Sequence, residues 1–257
     1  MLEIRTFVPR TVRHTYDGSE LVIAIADPLA AGWYDADWPD VPELVPLKAS
    51  RLSTGARVFD VGAHQCVVAM ILAAAVGNDG RVVAVEAEPH NVRIGRRNVT
   101  TNGFSNVEVV SAAISDKDGT VRFAASLNGS VDVQQSRASI EVRAVTLDSL
   151  VEHYGLPDAV LLDVEGYEQR ALQGAGGLLD KRATDFLVEL HVGCGLEDAG
   201  GAAADIVEMF ARRHYVLAVA QADNPHSWTS VTGETEIAAR SFLFAQAPGA
   251  AKCDRVE

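Results

Sequence analysis

The sequence has few cysteines and no pattern that would pair them. The three cysteines among 257 residues, Cys66, Cys194 and Cys253, are odd in number and far apart in the chain. No Cys-x-x-Cys pair and no cysteine–histidine spacing typical of a zinc finger is present, which argues against a structural zinc site and against a disulfide framework. We therefore expect a protein of a reducing compartment.

Long apolar runs and targeting signals are also missing. The longest apolar run, residues 67–76, has 10 residues, which is too short to cross a bilayer. The first 13 residues mix charged side chains and a proline with apolar ones, without the apolar core or small-residue cleavage site of a secretory signal. We expect a cytoplasmic protein with no membrane partner.

Positive charge is scarce in this chain. Lysine and arginine number 22 against 35 acidic residues, for a net charge of −13. Nucleic-acid-binding proteins concentrate basic residues to neutralise phosphates, so the charge argues against nucleic acid as a partner. Arg93, Arg96 and Arg97 lie on one predicted helix, and we interpret them as its solvated face.

The first 54 residues differ from the rest of the chain. They hold five of the nine prolines and an aromatic cluster of Trp33, Tyr34 and Trp38. A strand is predicted at residues 21–26 and a helix at residues 42–52. We interpret this part as an N-terminal extension or lid, because it is too small for a core of its own. The aromatic cluster is expected to line or cover a substrate pocket.

From residue 55 onwards, apolar runs alternate with amphipathic segments. Strands are predicted at residues 57–61, 81–86, 107–111, 121–123, 139–145, 159–163, 186–191, 215–220 and 242–245. Helices are predicted at residues 67–76, 89–102, 147–154, 167–179 and 203–213. Strands that are apolar almost throughout indicate a parallel sheet covered by helices on both faces. The sequence therefore predicts a doubly wound, mostly parallel α/β domain over residues 55–250.

Ligands of such sheets bind at the carboxyl ends of the strands, and the first two predicted strands end in suggestive residues. Gly62 allows a tight turn and close approach of a ligand. A dinucleotide site would have G-x-G-x-x-G here, but only Gly62 is present, so a phosphate cradle is missing. Glu86 stands where an acid accepts hydrogen bonds from ribose hydroxyls. Together with Asp60, these residues indicate a cationic, phosphate-free nucleoside, and S-adenosylmethionine fits.

Acidic residues also follow the fourth and fifth core strands. Asp163, Glu165 and Glu168 leave an apolar strand, where charges are costly unless they are paired or used. We interpret Glu168 as an acid that stabilises the next helix, and Asp163 and Glu165 as functional. Glu189 and His191 share one face of the following strand. An imidazole at the crevice predicts a general base.

Several of these segments resemble the FkbM family of S-adenosylmethionine-dependent methyltransferases. The resemblance covers roughly residues 55–192, with Asp-Val-Glu-Gly-x-Glu at residues 163–168 and Glu-x-His at residues 189–191 as its most specific parts. The segments that carry it are residues 58–64, 80–86, 98–103, 113–116 with Gly119, 145–150, 162–168 with Leu172, Gly174 and Ala175, and 189–191. It implies a seven-stranded, Rossmann-like class I methyltransferase sheet.

The resemblance also implies roles for single residues. Asp60, Gly62 and Ala63 would line the methionyl end of the cofactor, Glu86 would hold the ribose, and the backbone of residues 111–113 would approach the adenine. Asp163 would lie near the methyl group, with Glu165 and His191 facing the substrate. The predicted cofactor-binding residues are Asp60, Gly62, Ala63, His64, Glu86, Ala87, Ala112, Ala113 and Asp163.

Two departures from the family pattern bear on these roles. His64 and Cys66 stand where the family usually has asparagine and glycine, which puts the contacts of this loop with the cofactor in question. Leu162 replaces a common lysine, which removes a charge partner of Asp163.

The expected reaction is methyl transfer to a hydroxyl of a small molecule such as a sugar, a polyketide or another secondary metabolite. His191 is predicted as the general base, with Asp163 or Glu165 orienting it or the acceptor. A divalent ion held by Asp163, Glu165 and His191 is conceivable but not favoured, because the spacing follows no dedicated ligand motif.

Two other interpretations stay open at this stage. A methyltransferase-like fold that binds a partner without catalysis is consistent with His64 and Cys66. A nicotinamide-dependent oxidoreductase is disfavoured by the missing glycines.

Overall fold

A central β-sheet organises the chain from residue 57 onwards, and a β-hairpin precedes it. The computed structural model describes residues 6–124, 129, 131 and 139–248. The strands are β1 Arg10–Tyr16, β2 Ser19–Ile25, β3 Arg57–Val61, β4 Arg81–Glu86, β5 Val107–Ser111, β6 Ala113–Ile114, β7 Gly119–Ala124, β8 Ser139–Val145, β9 Ala159–Leu162, β10 Asp185–Leu190, β11 Val216–Gln221, β12 Thr229–Ser230 and β13 Ser241–Gln246. The helices are α1 Pro28–Tyr34, α2 Val45–Ser50, α3 Val67–Val76, α4 Pro89–Thr101, α5 Leu147–Tyr154, α6 Glu168–Gln173, α7 Gly176–Lys181 and α8 Ala203–Ala211, with a 3₁₀ turn at Pro42–Leu44.

Within the described residues, the central sheet has eight strands in the order β12-β11-β13-β10-β9-β3-β4-β5. The strands from β10 to β5 in that order run parallel to one another. β13 runs antiparallel to both β10 and β11, and β12 pairs with β11 at the edge. The predicted mostly parallel, doubly wound sheet is confirmed. Its seven predicted strands are all present, and β12 is an additional edge strand of two residues.

Both faces of the sheet are buried, which explains the apolar strands. Along β3, Val58 belongs to one hydrophobic cluster and Phe59 to the other, as the alternation of side chains requires. β3 lies between β4 and β9, so the chain winds away from it in both directions. Such a reversal of strand order opens a crevice at the carboxyl ends of the strands.

The strands predicted at residues 121–123 and 139–145 lie outside the central sheet. β6, β8 and β7 form a separate three-stranded sheet, in which β7 and β8 are antiparallel. Phe123 of β7 and Ala113 of β6 pack with Ala87, which follows β4, in a small apolar cluster. This second sheet therefore lies beside the carboxyl end of β4.

The N-terminal extension shares its core with the central sheet. Tyr16, Ile23 and Leu47 are fully buried in the same cluster as Met70 of α3. β1 and β2 form an antiparallel hairpin, of which only β2 is predicted from the sequence. The absence of a core private to the extension agrees with its small size. The boundary predicted at residue 54 stays a prediction.

The hairpin is tied to α4 by two asparagines. Asn98 accepts a hydrogen bond from the backbone N–H of Ala24 at 2.9 Å, and Asn102 accepts one from Val22 at 2.8 Å. These bonds satisfy donors on the free edge of β2, which would otherwise be open to pairing.

The single helix predicted at residues 167–179 is wrong in one respect, because the structure has two helices there. α6 ends at Gln173 and α7 begins at Gly176. A Cβ atom at Gly174 would lie 2.2 Å from the carbonyl oxygen of Ser115. The chain therefore bends where it passes in contact with the loop after β6.

α3 contains the longest apolar run of the sequence. Seven of its ten residues are buried against the sheet and the hairpin. Among the helices that the structure describes, none is long and apolar enough to cross a membrane.

Candidate active site

A cavity of about 270 Å³ opens at the carboxyl ends of β3, β4 and β9. All nine residues predicted to bind a cofactor line it, and so does Glu165. His191, the third predicted catalytic residue, is not part of the lining. The crevice predicted from the strand order is therefore present, and it gathers residues that are more than one hundred positions apart in the chain.

Gly62 forms the tight turn after β3. Its φ angle is +91°, a conformation that other residues rarely adopt. Its N–H donates to the carbonyl of Val85 at 2.9 Å, which holds the turn against β4. A Cβ atom at this position would lie 1.7 Å from the carbonyl oxygen of Asp163. Gly62 is thus needed both for its backbone angle and for the close passage of two strand ends.

Glu86 organises the loop that follows Gly62. Its two carboxylate oxygens accept hydrogen bonds from the backbone N–H of His64 at 2.8 Å and of Glu88 at 2.7 Å. Desolvation raises the pKa of Glu86 to about 7, although these backbone hydrogen bonds oppose the rise. A carboxylate has about four lone-pair sites, so Glu86 retains acceptor capacity toward the cavity.

Asp60 lines the cavity and has one unsatisfied carboxylate oxygen. The residue is 2% exposed, and its Oδ2 has no hydrogen-bond partner within the described part of the chain. Burial raises the pKa of Asp60 to about 7. A buried acceptor without a donor is costly, so this oxygen marks a place where a ligand would be bound favourably.

His64 links the cavity to the N-terminal extension. Its Nδ1 forms a 2.7 Å hydrogen bond with the hydroxyl of Tyr34, and its ring lies 5.1 Å from that of Trp33, centre to centre. The contact of this loop with Glu86 is made by the backbone of residue 64, which any residue provides. The departure from asparagine therefore leaves the backbone contact in place and adds a contact with α1.

The second departure in this loop, Cys66, is accommodated by a glycine on α4. Cys66 is fully buried with a φ angle of +65°, a conformation suited to the family's glycine. A Cβ atom at Gly95 would lie 2.6 Å from Cys66 Sγ. The missing side chain at Gly95 thus leaves the space that the thiol occupies.

Carboxylates surround His191, which lies beside the cavity but is not part of its lining. Nδ1 of His191 lies 2.8 Å from Glu168 Oε1, while Nε2 lies 3.3 Å from Glu165 Oε2 and 3.6 Å from Asp163 Oδ1. Burial lowers the pKa of His191, but the hydrogen bond to Glu168 and the charges of the three acids outweigh it and raise the pKa to about 9. The imidazole is therefore protonated at neutral pH when these acids are ionised.

The arrangement separates the predicted catalytic residues into two layers. The side chains of Asp163 and Glu165 are 37% and 28% exposed and face the cavity, whereas that of His191 is 2% exposed and lies behind them. Desolvation, together with the charge of Glu189, raises the pKa of Asp163 well above its usual value. The role of His191 as general base stays a prediction. Its burial and its raised pKa favour a role in holding the two carboxylates.

Because residue 162 is leucine and not lysine, Asp163 has no cationic partner at the preceding position, and its partner comes from another strand. Leu162 is fully buried in one of the two large hydrophobic clusters of the sheet. His191, which directly follows the neighbouring strand β10, is the cationic partner of Asp163. Glu168, which the sequence indicates only as a helix-stabilising acid, is fully buried and also accepts the N–H of Gly166 at 2.8 Å.

Some cavity residues were not predicted from the sequence. Phe123, Tyr167 and Arg240 line the cavity, and Arg240 forms an ion pair with Glu189. Arg240 comes from the segment before β13, whose sequence contains no motif that would have identified it. The predicted aromatic cluster, Trp33, Tyr34 and Trp38, does line the cavity.

The chain is similar in sequence to known methyltransferases. The family model described as the methyltransferase FkbM domain matches residues 60–217. A curated protein of Sulfolobus acidocaldarius, named "Probable cobalt-precorrin-6B C(15)-methyltransferase (decarboxylating)", is 36% identical over 67 residues, which make up 26% of this chain and 35% of that protein. The chain thus spans about a third of the length of the curated relative that it matches.

Solved structures with a similar fold include two methyltransferases. Methyltransferase FkbM from Methylobacillus flagellatus KT is 16% identical with a TM-score of 0.49, and the match covers 74% of this chain and 43% of that chain. Precorrin-6y C5,15-methyltransferase from Geobacter metallireducens GS-15 is 16% identical with a TM-score of 0.47, over 79% and 86% of the two chains. Because the family model covers more than half of its residues, the chain belongs to the FkbM methyltransferase family.

Proposed function

We propose that the protein transfers the methyl group of S-adenosylmethionine to a hydroxyl of a small molecule. The observation that carries this proposal is the cavity at the strand ends, where Asp60, Glu86 and Asp163 face a glycine turn without a phosphate loop. Carboxylates in such a place favour a ligand that is cationic and rich in hydroxyl groups, and they disfavour a pyrophosphate. Membership of the FkbM family supports the same cofactor.

The residues present fit the cofactor in three ways. Asp60 offers an unsatisfied buried acceptor, Glu86 offers acceptor capacity for ribose hydroxyls, and the absent side chain of Gly62 leaves the backbone accessible. Ala112 and Ala113, small and buried, would face the adenine. When bound, S-adenosylmethionine supplies an electrophilic methyl group on a positively charged sulfur.

The chain itself has to align an acceptor and remove its proton. Asp163 and Glu165 are the ionisable groups of the predicted catalytic set that face the cavity, so we assign contact with the acceptor hydroxyl to them. Either carboxylate can take the proton in its ionised form, and the positive charge of His191, which lies behind both, favours the ionised form of Asp163. The side chains of Trp33 and Trp38 would exclude water from the acceptor end.

A small molecule is the acceptor class that we favour over nucleic acid. The chain carries a net charge of −13, and among the charged side chains that line the described part of the cavity four are acids, Asp60, Glu86, Asp163 and Glu165, against one arginine, Arg240. A phosphate backbone would be repelled at this surface.

The central test is calorimetric titration of the purified protein with S-adenosylmethionine and with its product, S-adenosylhomocysteine. We expect one site per chain for each ligand, followed by methyl transfer to at least one member of a panel of hydroxylated metabolites. A folded protein that binds neither ligand would refute the proposal. Cofactor binding without turnover over the whole panel would instead favour a non-catalytic binding protein, and stabilisation by NAD alone would favour an oxidoreductase.

Cofactor binding is expected to tighten as the pH rises. Asp60 and Glu86 both have pKa values of about 7 in the free protein, above the usual carboxyl range, so each is partly protonated at neutral pH. A sulfonium and ribose hydroxyls favour the ionised forms, so binding should release protons at pH 7. Between pH 6 and 8 we expect the affinity for S-adenosylmethionine to rise about tenfold for each carboxyl that ionises on binding.

Calorimetry in two buffers with different ionisation enthalpies measures this proton release directly. The Glu86→Gln variant is the internal control, because it should release fewer protons than the wild type. Proton uptake on binding, or an affinity that falls between pH 6 and 8, would contradict the assignment of these two carboxyls to the cofactor.

A further inference from the structure

We propose that Asp163, Glu189 and His191 form a binding site for one divalent cation beside the cavity, which Asp163 lines. One carboxylate oxygen from each acid and one imidazole nitrogen all lie within 4.8 Å of one another. β9 and β10 are neighbouring parallel strands, so their carboxyl ends bring the three residues together on the central sheet. The inference that this ion activates an acceptor hydroxyl rests on the proposed function, whereas the site itself does not.

The orientation of His191 is an observation independent of the acidic cluster. Its side chain is 98% buried, since only 2% is exposed, and Nε2 has no hydrogen-bond partner among the described residues. This nitrogen lies 3.3 Å from Glu165 Oε2 and 3.6 Å from Asp163 Oδ1, and Asp163 Oδ1 is a buried oxygen that also lacks a hydrogen-bond partner in the described part of the protein. Two unsatisfied buried atoms that face each other mark a position that a cation would satisfy.

Glu168 supports His191 in the way that metal-bound histidines require. Its Oε1 lies 2.8 Å from Nδ1, which places the Nδ1 proton in that bond and directs Nε2 toward the cluster. Metal-bound histidines usually donate their other N–H to a carboxylate or carbonyl, which fixes the ring and its tautomer.

The charge balance also favours a cation of more than one charge. Among the described residues four acids, Asp163, Glu165, Glu168 and Glu189, lie near two cationic groups, His191 and Arg240, and this excess of acids contributes to the raised pKa of Asp163. Arg240 contacts Oε1 of Glu189, which leaves the other oxygen of this carboxylate for an ion. The sulfonium of the cofactor would compensate only part of the remaining negative charge.

The donor set indicates which ions to test. Two carboxylates suit the hard ions Mg²⁺ and Mn²⁺, and one imidazole shifts the preference toward Mn²⁺. Of the three ligands Asp163 lines the cavity, so water or an acceptor hydroxyl would reach the ion from the side of Asp163, and the pKa of a hydroxyl falls when it binds a divalent ion. The ion would thus help Glu165 to remove the acceptor proton without taking part in cofactor binding.

The test uses the full chain after treatment with a chelator and dialysis. Titration with Mn²⁺, followed by the loss of the electron paramagnetic resonance signal of the free ion, should reveal one site per chain. Asp163→Asn and His191→Gln should weaken Mn²⁺ binding at least about tenfold. Glu236→Gln removes the same charge from an exposed position and should leave the binding unchanged.

The possible results separate the site from the proposed function. Absence of Mn²⁺ binding by the wild type at millimolar concentration, or equal binding by folded Asp163→Asn, would overturn the site. S-adenosylhomocysteine is titrated in parallel with and without chelator. If S-adenosylhomocysteine binds and Mn²⁺ does not, the ion site is refuted and the proposed methyltransferase function is retained. If Mn²⁺ binds and S-adenosylhomocysteine does not, the proposed function is refuted and the ion site is retained. If circular dichroism shows that His191→Gln does not fold, the results for the wild type and Asp163→Asn still decide whether the site binds Mn²⁺.

Discussion

Replacing Gly62 with alanine is expected to abolish measurable binding of S-adenosylhomocysteine, with an affinity loss of about 100-fold or more. The new Cβ atom would lie 1.7 Å from the carbonyl oxygen of Asp163, so the strand ends of β3 and β9 would have to separate. That movement displaces the loop of Ala63 and His64 and with it the backbone N–H that Glu86 accepts. A displacement of about 1 Å at a positioned site is enough for a loss of this size.

Gly55→Ala is the matched control for this experiment. Gly55 has a φ angle of +88°, nearly the same as the +91° of Gly62, but a Cβ atom there would meet nothing within 4 Å. Both variants carry the backbone strain of a non-glycine residue at positive φ, about 1–2 kcal/mol, and only Gly62→Ala adds the clash. Equal losses of affinity in the two variants would show that strain alone is responsible and would contradict the assignment of Gly62 to the cofactor site. Thermal denaturation of both variants measures the strain separately.

The alternation of strands and helices was predictable because it follows from burial. β3, β4, β9 and β10 are covered on both faces, and residues in such strands are apolar whatever their neighbours are. β1 was missed for the opposite reason. It lies outside the central sheet and pairs along its length with β2, one of its faces is exposed, and Arg10, Arg13 and His14 give it the composition of a loop. The helix break at Gly174 was also not predicted, because it depends on contact with Ser115, a residue distant in sequence.

The candidate site was predictable to the extent that it lies at strand ends. Asp60, Glu86 and Asp163 each follow a core strand directly, and parallel strands place their carboxyl ends at one edge of the sheet. The burial of His191 behind Asp163 was not predictable, because side-chain alternation assigns His191 to one face of the sheet but gives no distance from the cavity. Its position behind Asp163 is set by the packing of α6, whose buried Glu168 holds the ring. Arg240 lies at the end of the long connection between β12 and β13, and sequence periodicity does not predict the spatial position of residues in such connections.

Glu86→Gln is expected to weaken S-adenosylhomocysteine binding by about 100-fold without destabilising the protein. Glu86 accepts two backbone N–H groups, from His64 and Glu88, while glutamine has a single acceptor oxygen. One buried donor would lose its partner, which costs about 1–3 kcal/mol, and the bond of the ribose to a charged acceptor would be lost as well. Burial raises the pKa of Glu86 to about 7, so the ionised carboxylate is itself unfavourable in the folded free protein above that pH. The neutral amide removes this cost, and for that reason the unfolding temperature should change little while the affinity falls.

Glu88→Gln separates the role of the carboxylate from a general effect of charge near the cofactor. Glu88 lies two residues further on, caps α4 by accepting the N–H of Asn91 at 2.9 Å, and is not part of the cavity lining. A glutamine can still accept that single bond, so affinity should stay within a few-fold of the wild type. If Glu86→Gln binds the ligand as tightly as Glu88→Gln does, the ribose is not held at the end of β4. Wild-type affinity in Glu88→Gln together with a large loss in Glu86→Gln would place the ribose at the end of β4. The reason is that Glu86 accepts two backbone N–H groups and lines the cavity, whereas Glu88 accepts one and does not line it.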